Sequence, residues 1–107
     1  MQLRIYRDAV TMVTEVGPLV QAIRRDDADH ARQLRKAAKS VPLNIAEGTY
    51  SRGRKRQVSY HVALGSANEA VACLEVAVAD GILASVDPAI LDRLDKIIAT
   101  LVKLTDK

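Results

Sequence analysis

The sequence contains no tryptophan and no phenylalanine, and three tyrosines are its only residues of the large aromatic types. The core therefore has to be built from leucine, isoleucine, valine and 16 alanines. Alanine is the best helix former, and small side chains allow helices to approach closely. No window shows the sustained alternation that is typical of strands. The sequence predicts an all-helical protein.

Cysteine and targeting signals are also scarce. Cys73 is the single cysteine, so no internal disulfide can form, which fits a reducing cytosol. Arg4, Arg7 and Asp8 stand where a signal peptide needs an apolar core, and no run of about 20 apolar residues exists for a membrane span. We therefore expect one soluble domain, residues 1–107, in the cytoplasm and without a membrane.

Residues suited to catalysis or metal binding are few. His30 and His61 lie in different predicted helices, and the sequence has no H-E-x-x-H motif, no E-x-x-H motif and no paired cysteines. Cys73 stands in an apolar stretch with no adjacent cation to activate its thiol. The sequence thus predicts no catalytic residue, no metal and no cofactor, and a protein that is not an enzyme.

Positive charge is concentrated in one third of the chain. The net charge is +3, but residues 24–56 hold ten cations against four anions and carry +6. Residues 1–23 sum to zero, and residues 57–107 carry −3. One basic segment on a slightly acidic remainder says more about partners than the total charge does.

Apolar residues recur at helical spacing in four segments. The segments cover approximately residues 3–25, 27–47, 53–79 and 88–104. In the first segment, Gly17-Pro18 predicts a kink or, alternatively, a break into two short helices. Gly48 is placed to stop the second helix, and Asp80-Gly81 to stop the third. Asp87-Pro88 supplies the N-cap and the first residue of the fourth helix.

Short connections predict that sequential helices are antiparallel neighbours, so the expected fold is an all-α, up-down-up-down four-helix bundle. The third helix has more apolar surface than such a bundle covers, since residues 67–79 contain only three polar residues. We therefore expect a homo-oligomer in which this surplus lies at a subunit interface.

Two sets of cations are candidates for nucleic-acid binding. The first, the basic loop, precedes the third helix, whose free N–H groups and positive dipole end also favour phosphate; its cations are Arg52, Arg54, Lys55 and Arg56. The second, the helix-2 cations, lies on one face of the second helix and consists of Arg32, Arg35, Lys36 and Lys39. The alternative interpretation of the basic loop is a solvated charged turn.

Asn44 and Glu47 are three residues apart on the second helix and share a face. They either contact a ligand or partner, or they form hydrogen bonds to the end of the helix or to the backbone of the next subunit. We favour the second, structural interpretation.

Three stretches resemble a family of bacterial four-helix-bundle proteins first noticed in intervening sequences of large-subunit rRNA genes. They are A-R-Q-L-R-K-A-A-K at residues 31–39, S-V-P-L-N-I-A-E-G at residues 40–48 and A-L-G-S-A-N-E-A at residues 63–70. The resemblance implies a structural role for the motif residues, which are Pro42, Asn44, Glu47, Gly48, Gly65, Ser66 and Glu69.

The resembled family includes the accessory variability protein of diversity-generating retroelements, a basic pentameric barrel that binds nucleic acid and a reverse transcriptase. The resemblance therefore implies a homopentameric ring of bundles. It also implies RNA or DNA as a partner, and a nucleic-acid enzyme such as a reverse transcriptase as another.

Two functional hypotheses follow. The first is a non-enzymatic, oligomeric bundle that binds RNA or DNA through phosphate contacts, without sequence specificity because no recognised reader motif is present. The alternative is a protein-interaction scaffold, or an accessory subunit of a nucleic-acid enzyme, whose basic surface meets an acidic partner.

Overall fold

Four α-helices account for most of the chain. The computed structural model describes residues 3–106, with Leu3 by its backbone alone, so residues 1, 2 and 107 of the predicted domain lie outside it. The helices are α1 (Leu3–Arg24), α2 (Ala28–Thr49), α3 (Gly53–Ala79) and α4 (Pro88–Thr105). The predicted all-α class and the four predicted helical segments are confirmed.

The four helices form a closed antiparallel bundle. Each helix packs against its neighbours in the chain, and α4 packs back against α1. His30 and Ser40 of α2 contact Cys73 and Ser66 of α3, respectively, so these two helices run in opposite directions. The bundle measures 42 × 24 × 20 Å. The predicted up-down-up-down topology is confirmed.

Small residues dominate the contact between α2 and α3, which is the most extensive helix pair in the bundle. Five of the eight buried residues of α3 have side chains no larger than alanine or serine, and Leu74 is its one buried leucine. Larger aliphatic side chains come from the other helices and include Met12, Ile23, Leu34, Leu94 and Ile97. Because the buried side chains of α3 are mostly small, the backbones of α2 and α3 can approach each other closely.

Local signals set most helix ends. The side chain of Asp27 accepts a hydrogen bond from the N–H of His30 at 3.0 Å, and that of Asp87 accepts one from the N–H of Ala89 at 2.9 Å. Gly81, just beyond α3, has a φ of +81°, which favours glycine. Helix α1 runs unbroken through Gly17-Pro18, so the interpretation as two short helices is wrong.

One arginine joins the first and last helices. The Nε atom of Arg93 on α4 donates to Glu15 on α1 at 2.7 Å, and a terminal nitrogen of Arg93 donates to Asp8 at 3.2 Å. The hydrogen bond to Glu15 raises the pKa of the Arg93 guanidinium above its usual range. All three side chains are about one-third exposed, so this ion-pair network closes the bundle at its partly solvated edge.

Candidate nucleic-acid interface

The basic loop meets α3 at a helix end that has no side-chain cap. Gly53 begins α3 with a φ of +58°, a left-handed conformation that glycine adopts without steric cost. Arg52 occupies the N-cap position but makes no capping hydrogen bond with its side chain. The first N–H groups of α3 therefore lie among exposed residues, next to Arg52, Arg54 and Lys55.

Arg56 has a different role from the other three cations of the loop. Its Nε donates to the carbonyl oxygen of Gly48 at 3.1 Å, and a terminal nitrogen donates to the carbonyl oxygen of Thr49 at 3.2 Å. Both carbonyls belong to the last turn of α2, and that of Gly48 also accepts a hydrogen bond from the N–H of Ser51 at 3.1 Å. Arg56 thus stabilises the end of α2, and the loop cations that have no intrachain partner among the described residues are Arg52, Arg54 and Lys55.

The helix-2 cations are all exposed on α2. Arg32 forms an ion pair with Asp29, but both side chains are mostly exposed, so this pair contributes little to stability. Leu43 lies beside these cations with 65 % of its surface exposed. This face of α2 therefore presents positive charge together with one large apolar side chain.

Three of the helix-2 cations border the groove between α1 and α2: Arg35 along its length, Arg32 in one part and Lys39 in another. One part of this groove, of about 480 Å³, is lined by Gln21, Arg24, Arg32 and Arg35. The sequence analysis did not single out Arg24 or Gln21. The position of Arg24 within the basic segment is the one signal that could have indicated it.

The basic loop and the helix-2 cations occupy different levels of the bundle. Lys39 and Thr49 are ten residues apart on α2, which corresponds to about 15 Å along the helix axis. That length matches roughly four base pairs of a duplex at 3.4 Å each. Leu43 and Glu47 are exposed between the two sets.

The hydroxyl of Ser40 links Asn44 of the same helix to Ser66 of α3. The Nδ2 atom of Asn44 donates to the carbonyl oxygen of Ser40 at 2.9 Å and to its Oγ at 3.0 Å. The hydroxyl of Ser66 on α3 donates to the same Oγ at 2.8 Å. Asn44 thus bonds within its own helix, and not to the helix end that the sequence analysis considered. Pro42 lies between Ser40 and Asn44 in the chain and is buried.

Gly48 does not stop α2, contrary to the sequence-based prediction, because α2 continues to Thr49. Gly48 is buried where α3 crosses α2. A Cβ atom at this position would lie 2.6 Å from both Cδ1 and Cε1 of the Tyr60 ring. Glycine is needed here for the close approach of Tyr60, which is 4 % exposed.

Three other motif residues have no partner within the described chain. Glu47, Gly65 and Glu69 are exposed, and neither carboxylate takes part in a hydrogen bond or ion pair there. No atom lies within 4 Å of a Cβ built on Gly65. Packing of a single chain therefore does not explain these three residues.

The histidines and the cysteine do not form a reactive cluster. His30 bonds through Nε2 to the carbonyl oxygen of Cys73 at 2.8 Å, while His61 is exposed. Cys73 is buried, and burial raises the pKa of its thiol, with a further contribution from the negative charge of Glu69. Among residues 3–106, no three histidine, cysteine or carboxylate side chains are grouped to hold a metal.

We expect Cys73 to react slowly with iodoacetamide at neutral pH, because the reactive thiolate is disfavoured and the residue is only 7 % exposed. A time course by mass spectrometry, with and without denaturing urea, measures the two rates. Equal labelling rates in the two conditions would contradict the inert, buried thiol.

Helix α3 carries an exposed apolar surface. Val58, Val62 and Val76 are 55 %, 45 % and 52 % exposed, respectively. By length and composition, α3 is the one helix in residues 3–106 that could span a membrane, with a mean hydropathy of 1.4. Composition alone therefore does not exclude a membrane span, although the lack of a run of about 20 apolar residues suggested that it would. In the bundle, α3 packs against α2 and α4, and about a third of its most apolar stretch is buried.

Comparisons with known proteins match the chain to one family and one solved fold. The model of a family described as 23S rRNA-intervening sequence protein matches residues 1–104. No curated protein matches the chain. A crystal structure of a protein of unknown function from the S23 ribosomal protein family of Bacteroides thetaiotaomicron superimposes with a TM-score of 0.84. That protein is 15 % identical, and the match covers 96 % of this chain and 99 % of that one. At this identity the similarity establishes the fold.

Proposed function

We propose that this chain, which belongs to the family of 23S rRNA-intervening sequence proteins, is a non-enzymatic, cytoplasmic homo-oligomer that binds RNA or DNA through phosphate contacts. The description of the family names no activity, so the proposal depends on the geometry of the basic loop.

The observation that carries the proposal is the uncapped start of α3 beside three exposed cations. Arg52, Arg54 and Lys55 have no intrachain partner in the described chain, and no side chain caps the first N–H groups of α3. Helix N-termini attract anions because their N–H groups and the helix dipole both favour negative charge. A phosphate at this end would thus meet side-chain and backbone donors together.

Assembly would multiply this attraction. In a closed ring, rotational symmetry places every copy of the basic loop at the same end of the assembly. We propose a ring of five, the number that the sequence resemblance implies. Three cations and one uncapped helix end per chain then form a continuous anion-binding face. Arg32, Lys36 and Lys39 extend the positive surface along α2.

Binding of this kind depends on salt and little on sequence. Each phosphate neutralised by a cation releases bound counterions, so the logarithm of the association constant falls with the logarithm of salt concentration by about 0.9 per duplex phosphate. The chain offers cations that can contact phosphate groups, but its sequence contains no recognised element for reading base edges. We expect similar affinities for unrelated sequences.

Changing Arg54 and Lys55 to glutamine tests the role of the loop. Arg56 is left intact, because its loss would expose the end of α2. We expect the variant to bind duplex DNA and structured RNA more weakly and to lose about 2 from the salt slope, since each lost phosphate contact removes about 0.9. Fluorescence anisotropy titrations from low to physiological salt measure both quantities.

The matched control changes Arg25 and Lys96 to glutamine. Both are exposed and lie away from the loop, and the change in net charge is the same. We expect this control to keep most of the affinity and the wild-type slope. Equal losses in the two variants would mean that total charge, not the loop, controls binding. Absence of binding by the wild-type protein at low salt would refute the proposed function.

Leu43 favours a second candidate, a scaffold for a partner protein. It is a large apolar side chain, 65 % exposed, next to the helix-2 cations. Apolar contacts surrounded by complementary charge are typical of protein interfaces. If the wild-type protein fails to bind either nucleic acid, an acidic protein partner becomes the leading hypothesis.

A further inference from the structure

Two neighbouring faces of the bundle carry opposite charge at the same level. The face between α2 and α3 has a groove of about 350 Å³ whose carboxylates are Asp27, Asp29 and Glu69. The face between α1 and α2 has a groove whose cations are Arg24, Arg32 and Arg35. Both grooves border the first half of α2, so acidic and basic surfaces lie on opposite sides of this helix.

The acidic face includes a regular row of exposed residues on α3. We name this row the α3 stripe; its members are Val58, Val62, Gly65, Glu69, Ala72 and Val76. Their spacings alternate between four and three residues, which is the pattern of a helix that packs along a partner. Gly65 and Ala72 leave room for close approach, and Glu69 is the single charge in the row.

The basic face carries an apolar groove with cations at its border, which is complementary to the α3 stripe. Between α1 and α2, an apolar floor of Val13, Val16, Gly17 and Val20 is bordered by Arg35 and Lys39, in a groove of about 270 Å³. An apolar helix stripe with one carboxylate fits an apolar groove with a cationic border. Both members of this match are present on every copy of the chain.

The levels of Glu69 and Arg35 along the bundle axis also agree. His30 of α2 faces Cys73 of α3, and Ser40 faces Ser66. In α3, Glu69 lies about midway between Ser66 and Cys73. In α2, Arg35 lies midway between Ser40 and His30, the residues that face those two. Glu69 and Arg35 are therefore at about the same height along the bundle axis. A rotation about an axis parallel to the bundle, without translation, can therefore bring Glu69 of one copy to Arg35 of another.

We propose that the α3 stripe of each chain packs into the α1–α2 groove of the next chain, with Glu69 paired to Arg35. The contact joins two different surfaces and is therefore heterologous, and such contacts form rings when the rotation closes. The two faces are adjacent in the bundle, roughly perpendicular to each other. The directions to two neighbours differ by about 90° in a ring of four and about 108° in a ring of five, so adjacent faces favour rings of this size.

This inference rests on the homo-oligomer of the proposed function and specifies its interface. It also gives Gly65 and Glu69 the partner that a single chain lacks. Arg35 becomes an interface residue, and Arg32 and Lys39, which border the same groove, flank it at the edge of the contact.

Exchanging the two charges tests the pairing. We expect Glu69→Arg and Arg35→Glu each to shift the protein from the assembled mass toward the single-chain mass of 11.7 kDa. Each change places like charges opposite each other at every interface. The double variant, with both changes, should regain the wild-type mass. Light scattering measures mass, and far-ultraviolet circular dichroism confirms that each variant is folded.

The control is Glu75→Arg, an exposed glutamate on the same helix that lies in the groove toward α4. It should keep the wild-type mass. Single exchanges that leave the assembly intact, or a double variant that stays dissociated, would overturn the interface while the oligomer itself stands. A wild-type protein with a mass of 11.7 kDa would instead refute the proposed assembly.

A crosslink provides a second readout that does not depend on charge. Glu69→Cys and Arg35→Cys are combined in a Cys73→Ser background. The two positions lie on different faces of one chain, so a short, flexible bis-maleimide should join neighbouring copies into a ladder on a denaturing gel. A disulfide would need Cβ atoms about 4 Å apart, closer than a Glu–Arg ion pair holds them, and the reagent spans the difference. The absence of a ladder from an assembled, folded protein whose two cysteines are both labelled contradicts the contact.

Discussion

We expect replacing Leu74 with alanine to lower the free energy of unfolding by about 2–5 kcal/mol, the range for truncating a fully buried leucine. Leu74 is 0 % exposed, and the other buried residues of α3 within one turn of it are small. No neighbouring large side chain on α3 can move into the space, so the cavity remains. The loss is a large part of a stability that typically totals about 5–15 kcal/mol.

Urea denaturation followed by circular dichroism measures this effect. Protein concentration must be the same for all variants, because assembly adds to apparent stability by mass action. Val102→Ala on α4 is the control, since Val102 is 47 % exposed and its truncation should change stability by less than about 0.5 kcal/mol. A Leu74→Ala variant as stable as this control would show that α3 is packed differently.

Gly48→Ala should destabilise the protein by about 1–3 kcal/mol, although alanine is the better helix former. The added Cβ would lie 2.6 Å from two atoms of the Tyr60 ring and 3.3 Å from the carbonyl oxygen of Arg56. Tyr60 is buried, and its hydroxyl is 3.3 Å from the hydroxyl of Thr49, so the ring cannot move away freely. The helix-propensity gain of about 1 kcal/mol is smaller than the overpacking cost.

Asn68→Ala provides the control of opposite sign, because Asn68 is exposed on α3, lies outside the α3 stripe and makes no side-chain hydrogen bond among the described residues. Alanine is the better helix former, so stability should rise by up to about 0.7 kcal/mol. A double-mutant cycle with Tyr60→Ala then isolates the clash, because removal of the ring should abolish most of the cost of Gly48→Ala. An unchanged cost without the ring would locate the strain elsewhere.

Helix number, type and most boundaries could be predicted from the sequence. The apolar residues recur at helical spacing, and Asp27, Gly81 and Asp87-Pro88 act on backbone groups within a few residues of themselves. Such signals are local, so the sequence alone contains them. Gly48 was misread for the same reason, because a glycine near the end of a helix has a local meaning as a stop.

The basic character of the segment from residue 24 to residue 56 was also evident in the sequence, since charge depends on composition. The different structural roles of these cations were not evident in the sequence. Arg56 bonds to carbonyls seven and eight residues earlier because the chain turns back after α2. Arg35 borders the groove with α1 because that helix crosses beside it.

Tertiary packing therefore decided which residues remain available for a partner. Spacing along one helix shows which residues share a face, but it does not show which flank of that face a second helix will cover. Gly48 meets Tyr60, and Arg35 comes to border α1, only when separate helices are brought together. The sequence by itself determined the four helices and where positive charge is concentrated, because these depend on neighbours in the chain. The roles of Gly48, Arg35 and Arg56 depend on neighbours in space.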